Sequence, residues 1–343
     1  MTNVKTISGT FADSALYANA MQSILDSTWR PEYYNDQGLI CNRDGSLRTN
    51  AFLSREEWER LDAAIAKRIA QRINIVGDLQ AAGLSDTLPI GVYLSKWRVA
   101  SERIAAQVTM EFETRVDSDR SDFKHYAVPV PIYQTDYDFG RRYLESVRLA
   151  GRNVETTEAE LAAEAVVETV ESVIVNGSTD ISVEGYTIPG LRTLASRTTG
   201  TAAAFGGGDF GTISNILPTF LGVYSTLSGN RYYGPFNIYI ANTQYVEMLN
   251  RYTDGSSKTA LQVIEELPFV NFVKANDLMT AGEMVWYQPS SDVIDLRVAL
   301  DMENVRWEAP DQSRAYYKVM WAGVCRMKTD YAGNAGIAQV TSC

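Results

Sequence analysis

Residues 107–116 alternate. Val108, Met110, Phe112 and Val116 fall on one side of the chain, and Thr109, Glu111, Glu113 and Arg115 fall on the other. Period two of this kind marks a strand with one buried face. The segment from Asp117 to Lys124 is polar and charged. The return leg, Tyr126 to Tyr133, carries Pro129 and Pro131, which confine it to a sheet edge or an irregular path. The pattern predicts a long two-stranded finger. Two strands alone are marginal in water and cannot shelter an apolar stripe. Leaving Phe112 exposed would forfeit about 1.5–3 kcal/mol of burial. The finger must therefore lie against another surface, and few folds meet that requirement.

Helical spacing organises the flanking segments. Residues 14–28 predict a short helix with Tyr17, Met21, Ile24 and Leu25 on one face, and residues 32–53 predict a loose hairpin around Asn42 and Asp44-Gly45. Ser54-Arg55-Glu56-Glu57 is a capping box, followed by Trp58, Leu61, Ile65, Ile69 and Ile73 at helical spacing. Gly77 to Gly91 reads as a linker. The strongest helix spans residues 158–175, capped by Thr157 with Glu160 and stopped by Asn176-Gly177. Its expected buried face is Ala162, Ala165, Val166, Val170 and Val173, with Glu160, Glu164, Glu168 and Glu171 in solvent. Helices are also expected over 214–227, 243–251 and 258–267. Strands are expected over 236–241, 269–274, 284–288, 293–300, 305–308 and 316–327. This order has no regular βαβ series, so the fold class is α+β.

The 343 residues suggest about two domains at roughly 150 residues each. With 31 Lys+Arg against 42 Asp+Glu the chain is acidic, which argues against a general basic grip on nucleic acid. Cys41, Cys325 and Cys343 form no CxxC pair and read as reduced thiols in a cytosolic product. The first residues show no secretory signal, and no stretch has the length of an apolar membrane span. Gly206, Gly208 and Gly211 formally match a dinucleotide-binding GxGxxG, but no convincing strand precedes them, and the segment reads as a surface loop. His125 is the one histidine, placed in the charged finger tip. Asp136 and Asp138 are expected to pair with Arg141 and Arg142. No catalytic set, cofactor site or metal site emerges.

Five strings carry a family resemblance. They are Ser54-Arg-Glu-Glu-Trp58 with Leu61-Asp62; Asp138-Phe139-Gly-Arg141-Arg142-Tyr-Leu144; Glu160 to Gly177 with its Ile174-Val-Asn-Gly177 end; Ile188-Pro-Gly-Leu191; and Gly234-Pro-Phe236 through Asn242-Thr243 to Leu249. In this order they resemble the Hong Kong 97-type capsid fold, that of tailed-phage major capsid proteins and encapsulins. The resemblance implies an N-terminal arm over 1–53, a helix and linker over 54–91, and an E-loop over 92–137. It implies a P-domain over 138–186 and 289–343 around a spine helix, 158–175, and an A-domain over 187–288.

The same resemblance implies a structural, non-enzymatic major capsid protein that self-assembles through pentamers and hexamers into an icosahedral shell around phage double-stranded DNA. It implies no sequence-specific DNA contact, no cofactor and no membrane. Portal, scaffolding and decoration proteins would be its partners. The protein would be assembled in the host cytoplasm and located in the virion. Val108, Met110, Phe112, Val116, Arg141 and Arg142 are the expected intersubunit contacts. The alternatives are an encapsulin shell around cargo enzyme and, more distantly, a nucleotide-binding enzyme using the glycine loop. The N-terminal arm favours the phage capsid.

Overall fold

The computed structural model describes residues 5–6, 33–34, 40–41, 55–72, 74–103, 110, 120–150, 156–252, 257–308 and 314–343. The chain forms two compact units. One comprises 1–73, 132–169 and 300–321, and the other 74–131, 170–299 and 322–343. The class is α+β.

In the first unit, three short strands, β1 (Lys5–Thr6), β2 (Tyr33–Tyr34) and β3 (Ile40–Cys41), pair antiparallel. Tyr33 pairs with Cys41 and Tyr34 with Ile40, and the turn expected around Asn42 and Asp44-Gly45 lies outside the described residues. The helix expected over 14–28 lies outside the described residues. Helix α1 (Arg55–Arg72) buries Leu61 and Ile65 as its spacing requires, while its cap residue Ser54 and the side chains of Trp58, Ile69 and Ile73 are outside the description. Arg68 Nε donates to Glu164 Oε2 at 2.9 Å, which ties α1 to the spine helix.

Strand β7 (Ile132–Gly140) buries Tyr133, Tyr137 and Phe139 on one face, and leads into α3 (Arg141–Leu149). Tyr137 stacks on Tyr317 with ring centroids 5.0 Å apart, and Tyr133 meets Trp321 at 5.5 Å. Tyr317 and Trp321 belong to β15 (Arg314–Met327), the neighbour of β14 (Ile294–Glu308) in the same sheet. The sequence reading divided β14 into two strands over 293–300 and 305–308; it is one.

The spine helix is α4 (Thr157–Asn176). The helix begins at Thr157 itself, and the hydroxyl of the preceding Thr156 donates to Glu160 Oε1 at 2.9 Å. Val166 and Val170 are buried and Glu168 is exposed, as expected. Three other positions differ from the reading. Ala165 is exposed, whereas Glu164 and Glu171 are buried. The apolar stripe is wider and rotated, taking in Ala159, Ala163 and Val167, and the two carboxylates are buried because each has a partner.

The second unit contains a five-stranded sheet in the order β10 (Thr198–Thr201), β16 (Ile337–Thr341), β13 (Met284–Tyr287), β11 (Phe236–Ile240) and β12 (Val270–Ala275). Helices α5 (Ile216–Gly229), α6 (Asn242–Met248) and α7 (Ala260–Glu265) contribute to its core. Phe220, Phe236, Phe269 and Trp286 pack together there, and Ala338, Val340 and Cys343 close it. Residues 337–343, assigned to the P-domain from sequence, thus belong to this block: β16 pairs with β10 and β13. The segment read as a linker, 77–91, overlaps helix α2 (Ile75–Ala81), whose Ile75, Val76 and Leu79 are buried, and contains β4 (Ser85–Thr87), which pairs with Leu296–Val298.

Candidate functional site

The finger is rooted in β5 (Leu94–Ala100) and β6 (Phe123–Pro129), an antiparallel ladder running from Leu94 opposite Pro129 to Ala100 opposite Phe123. The sequence reading paired the return leg with 107–116. In the described residues it pairs with 94–100, a strand concealed by Lys96 and Arg98, while 107–116, apart from Met110, lies outside the description. Directly opposed residues share a face. One face carries Ser95, Trp97, Val99, Lys124, Tyr126 and Val128, and the other carries Lys96, Arg98, Ala100, Phe123, His125 and Ala127.

The first face is held by its own unit. Trp97 stacks on Tyr126 at 5.9 Å, and Trp97 packs with Val130 and Val173 against a small buried cluster of Val128, Ile188 and Val324. Lys124 Nζ donates to the Tyr331 carbonyl at 2.8 Å and lies 4.2 Å from its ring centroid. Ile188 belongs to β9 (Tyr186–Ile188), the partner of β8 (Ser178–Val183) in a hairpin whose Glu184 pairs with Lys96 at 3.2 Å. His125 is exposed on the other face, opposite Arg98, in a strand and not in the tip.

Beneath the root lies a buried ionic cluster. Arg326 Nε donates to Asp295 Oδ1 at 2.7 Å and its Nη2 to Oδ2, a two-toothed fork between residues 6% and 5% exposed. Lys328 and Arg297 approach the same carboxylate at 3.1 and 3.3 Å, and Arg297 also pairs with Asp86. Burial and the Arg326 charge hold the Arg297 guanidinium below its ordinary range. Arg326 Nη1 lies 3.4 Å from Ser95 Oγ, and its guanidinium is 5.6 Å from the Trp97 ring centroid. One guanidinium therefore touches consecutive inward positions of β5. Sequence reasoning missed this cluster. Its signal was one charge of each sign inside an apolar run: Val293-Ile-Asp295-Leu and Val324-Cys-Arg326-Met.

A second polar assembly holds α2. The Glu171 carboxylate accepts from the backbone N–H groups of Asn74, Ile75 and Val76, each at 3.1 Å. Those groups open the helix and lack intrahelical acceptors, so the anion satisfies them and complements the helix dipole. Burial nevertheless lifts the Glu171 carboxyl above its ordinary range. Asp78 accepts from Tyr239 Oη and Lys274 Nζ, each at 2.5 Å. The spine helix ends as its Asn-Gly signal predicts, with Gly177 at φ +73°. The backbone of Leu191 and Arg192 then donates to the free carbonyls of Ile174 and Val175. A Cβ on Gly190 would lie 2.2 Å from the Gly177 nitrogen, so this corner requires glycine at both positions.

The expected contact residues are distributed as follows. Met110 is exposed; Val108, Phe112 and Val116 lie outside the described residues. Arg141 and Arg142 are exposed on α3, where Arg141 pairs with Glu145 at 3.0 Å. They do not neutralise the aspartates: Asp138 pairs with Arg314 at 2.9 Å and Asp136 with Lys318 at 3.5 Å, because β7 lies beside β15. The glycine loop is folded onto α5. A Cβ on Gly207 would overlap Thr219 Oγ1 at 1.9 Å, and one on Gly222 would overlap the Phe205 carbonyl oxygen at 1.8 Å, so glycine at these two positions lets the loop and α5 meet closely. Among the described residues no group of three His, Cys, Asp or Glu is arranged to hold a metal ion, and no helix is long and apolar enough to cross a membrane. Cys325 and Cys343 are free and buried, and burial pushes the Cys343 thiol up to about 12.

Comparison with known proteins places this architecture. A family described as "Family of unknown function (DUF6260)" matches residues 48–340. No curated protein matches the sequence. Among solved structures, a virus-like particle from Pyrococcus furiosus is similar with a TM-score of 0.60 at 16% identity, over 83% of this chain and 99% of that one. The capsid of Myoviridae phage XM1 gives 0.53 at 12%, over 73% and 84%. A structure from Mycobacterium phage Bobi gives 0.54 at 10%, over 80% and 89%. The likeness is one of fold, and the fold is the Hong Kong 97 type.

Proposed function

The chain belongs to the DUF6260 family, and we propose that it is a structural shell subunit, a major capsid protein whose copies close into an icosahedral particle around phage double-stranded DNA. The observation that carries this reading is a capsid-type fold with a two-stranded root that buries apolar contacts on one face, through Trp97 and Val128, while Arg98, Phe123 and His125 on the other face are exposed. Beyond that root, Glu102, Arg103, Met110, Arg120 and Asp122 are exposed. A neighbouring copy supplies the surface that Val108, Met110, Phe112 and Val116 require, with Arg141 and Arg142 as further contacts. Heterologous contacts that close on themselves give shells and not fibres. In this reading the protein performs no catalysis. It holds DNA without reading its sequence, works with portal, scaffolding or decoration proteins, is assembled in the host cytoplasm and resides in the virion.

A second reading, an encapsulin-type shell around protein cargo, is favoured by the coverage of the Pyrococcus furiosus particle, 99% of that chain. Electron microscopy and sedimentation of the expressed protein test both. Hollow or filled spherical particles are expected; a monomer under every co-expression with candidate scaffolds overturns both. Nuclease-protected DNA in the particles supports the phage capsid, and co-purified enzyme supports the second reading. Replacing residues 104–119 by a short Gly-Ser linker should leave a folded subunit that closes no shell. The root strands are spared because Val128 is part of a buried cluster.

A further inference from the structure

We infer that the Arg326–Asp295 fork is the orienting element of the finger: it fixes the direction in which β5 and β6 leave the subunit, and closed assembly depends on it. The inference rests on the shell reading above. The apolar cluster at the root, Val128, Ile188 and Val324, is small and closed by half-buried Trp97, Val130 and Val173. Apolar contact is non-directional, and the other directed contacts of the ribbon, Lys124 on the Tyr331 carbonyl and Lys96 on Glu184, are exposed and weakened by solvent. The guanidinium supplies direction. Its plane is set by two nitrogens on the two oxygens of Asp295, and it meets β5 at both Ser95 and Trp97. Asp295 is in turn fixed by Lys328 and Arg297 and by its place in β14. Arg326 and Asp295 are thus positioning residues. They contact no neighbour themselves but hold the part that does.

Arg326→Lys preserves charge while losing the fork and the planar face over Trp97. In the full chain it is expected to speed amide exchange across 94–100 and 123–129 by about tenfold or more, with exchange in 236–240 unchanged. The yield of closed particles should fall about tenfold in favour of open sheets or free subunits. Lys258→Met removes an exposed cation that pairs with Glu266 away from the root, and should leave both readouts near wild type. Protected root strands and normal particles from Arg326→Lys overturn the inference. If Arg326→Lys does not fold, Ser95→Ala combined with Trp97→Leu removes the finger side of the same contact and should accelerate the same amides; unchanged exchange there overturns the inference equally. The exchange measurement needs no particle. Failure of the wild-type chain to assemble, with the exchange result as expected, therefore sinks the shell reading and leaves the clamp standing.

Discussion

In the five-stranded block Phe220, Phe236 and Phe269 surround Trp286, and helices, strands and the chain's last residues all contribute apolar groups to one core. At the finger root the buried apolar set shrinks to Val128, Ile188 and Val324, and a carboxylate bound by three cations lies beneath it. The block is held by area removed from water, a term that tolerates repacking. The root is held by directed bonds between desolvated charges, which cost much to bury and more to leave unpaired. The first device gives stability, and the second fixes the direction of a two-stranded ladder.

Breaking the block should have the largest effect. Trp286→Ala removes a fully buried ring and should cost about 3–5 kcal/mol, read from urea denaturation. A loss under about 1 kcal/mol would mean that the core collapses around the gap and that the contrast with the root is false. Breaking the root comes next. Asp295→Asn leaves Arg326, Lys328 and Arg297 facing one another in a buried space and should cost about 3 kcal/mol. Amide exchange should rise first at 94–100 and 123–129. Faster exchange in the block before the root would reverse the assignment.

Glu171 sharpens the comparison at a third place, where a buried charge holds a helix end. Because burial raises its carboxyl above 4.5, the folded chain binds that proton more tightly than the unfolded chain. The stability linked to the group is full below the unfolded value and is lost as pH rises through the folded one. The margin of wild type over Glu171→Gln in urea midpoint should therefore shrink as pH rises from about 4.5. A margin that grows with pH would show that the three N–H groups outweigh burial. His125→Ala should have the smallest effect, within about 0.5 kcal/mol, since the ring is exposed. A shift of several degrees in thermal midpoint would place His125 in a contact the root does not have.

The same contrast explains what the amino-acid sequence made readable. Apolar runs and helical spacing located α5, β11, β12 and β13 to within a few residues, because such a run marks a buried element whichever partners cover it. The Asn176-Gly177 stop was legible because only a left-handed residue fits there. Glu164 and Glu171 were misplaced because a glutamate at helical spacing looks solvated until its partner, some hundred residues away, is known. Strand β5 was missed because Lys96 and Arg98 face outward, and β16 because its partners β10 and β13 are distant along the chain. The expected contact stripe was read from alternation alone, and Arg326 could not be assigned a place in the site without Asp295.

The position of β16 also governs timing. In the described sheet β10 pairs with β16 alone, and β13 has β16 as its second neighbour. Until residues 337–341 have been synthesised, β10 has no partner and Ala338 and Val340 are missing from the core. A growing chain therefore holds the block open while its finger root, complete in strands by Pro129, has long since emerged. The block therefore closes only after the strand that follows β15 has been made.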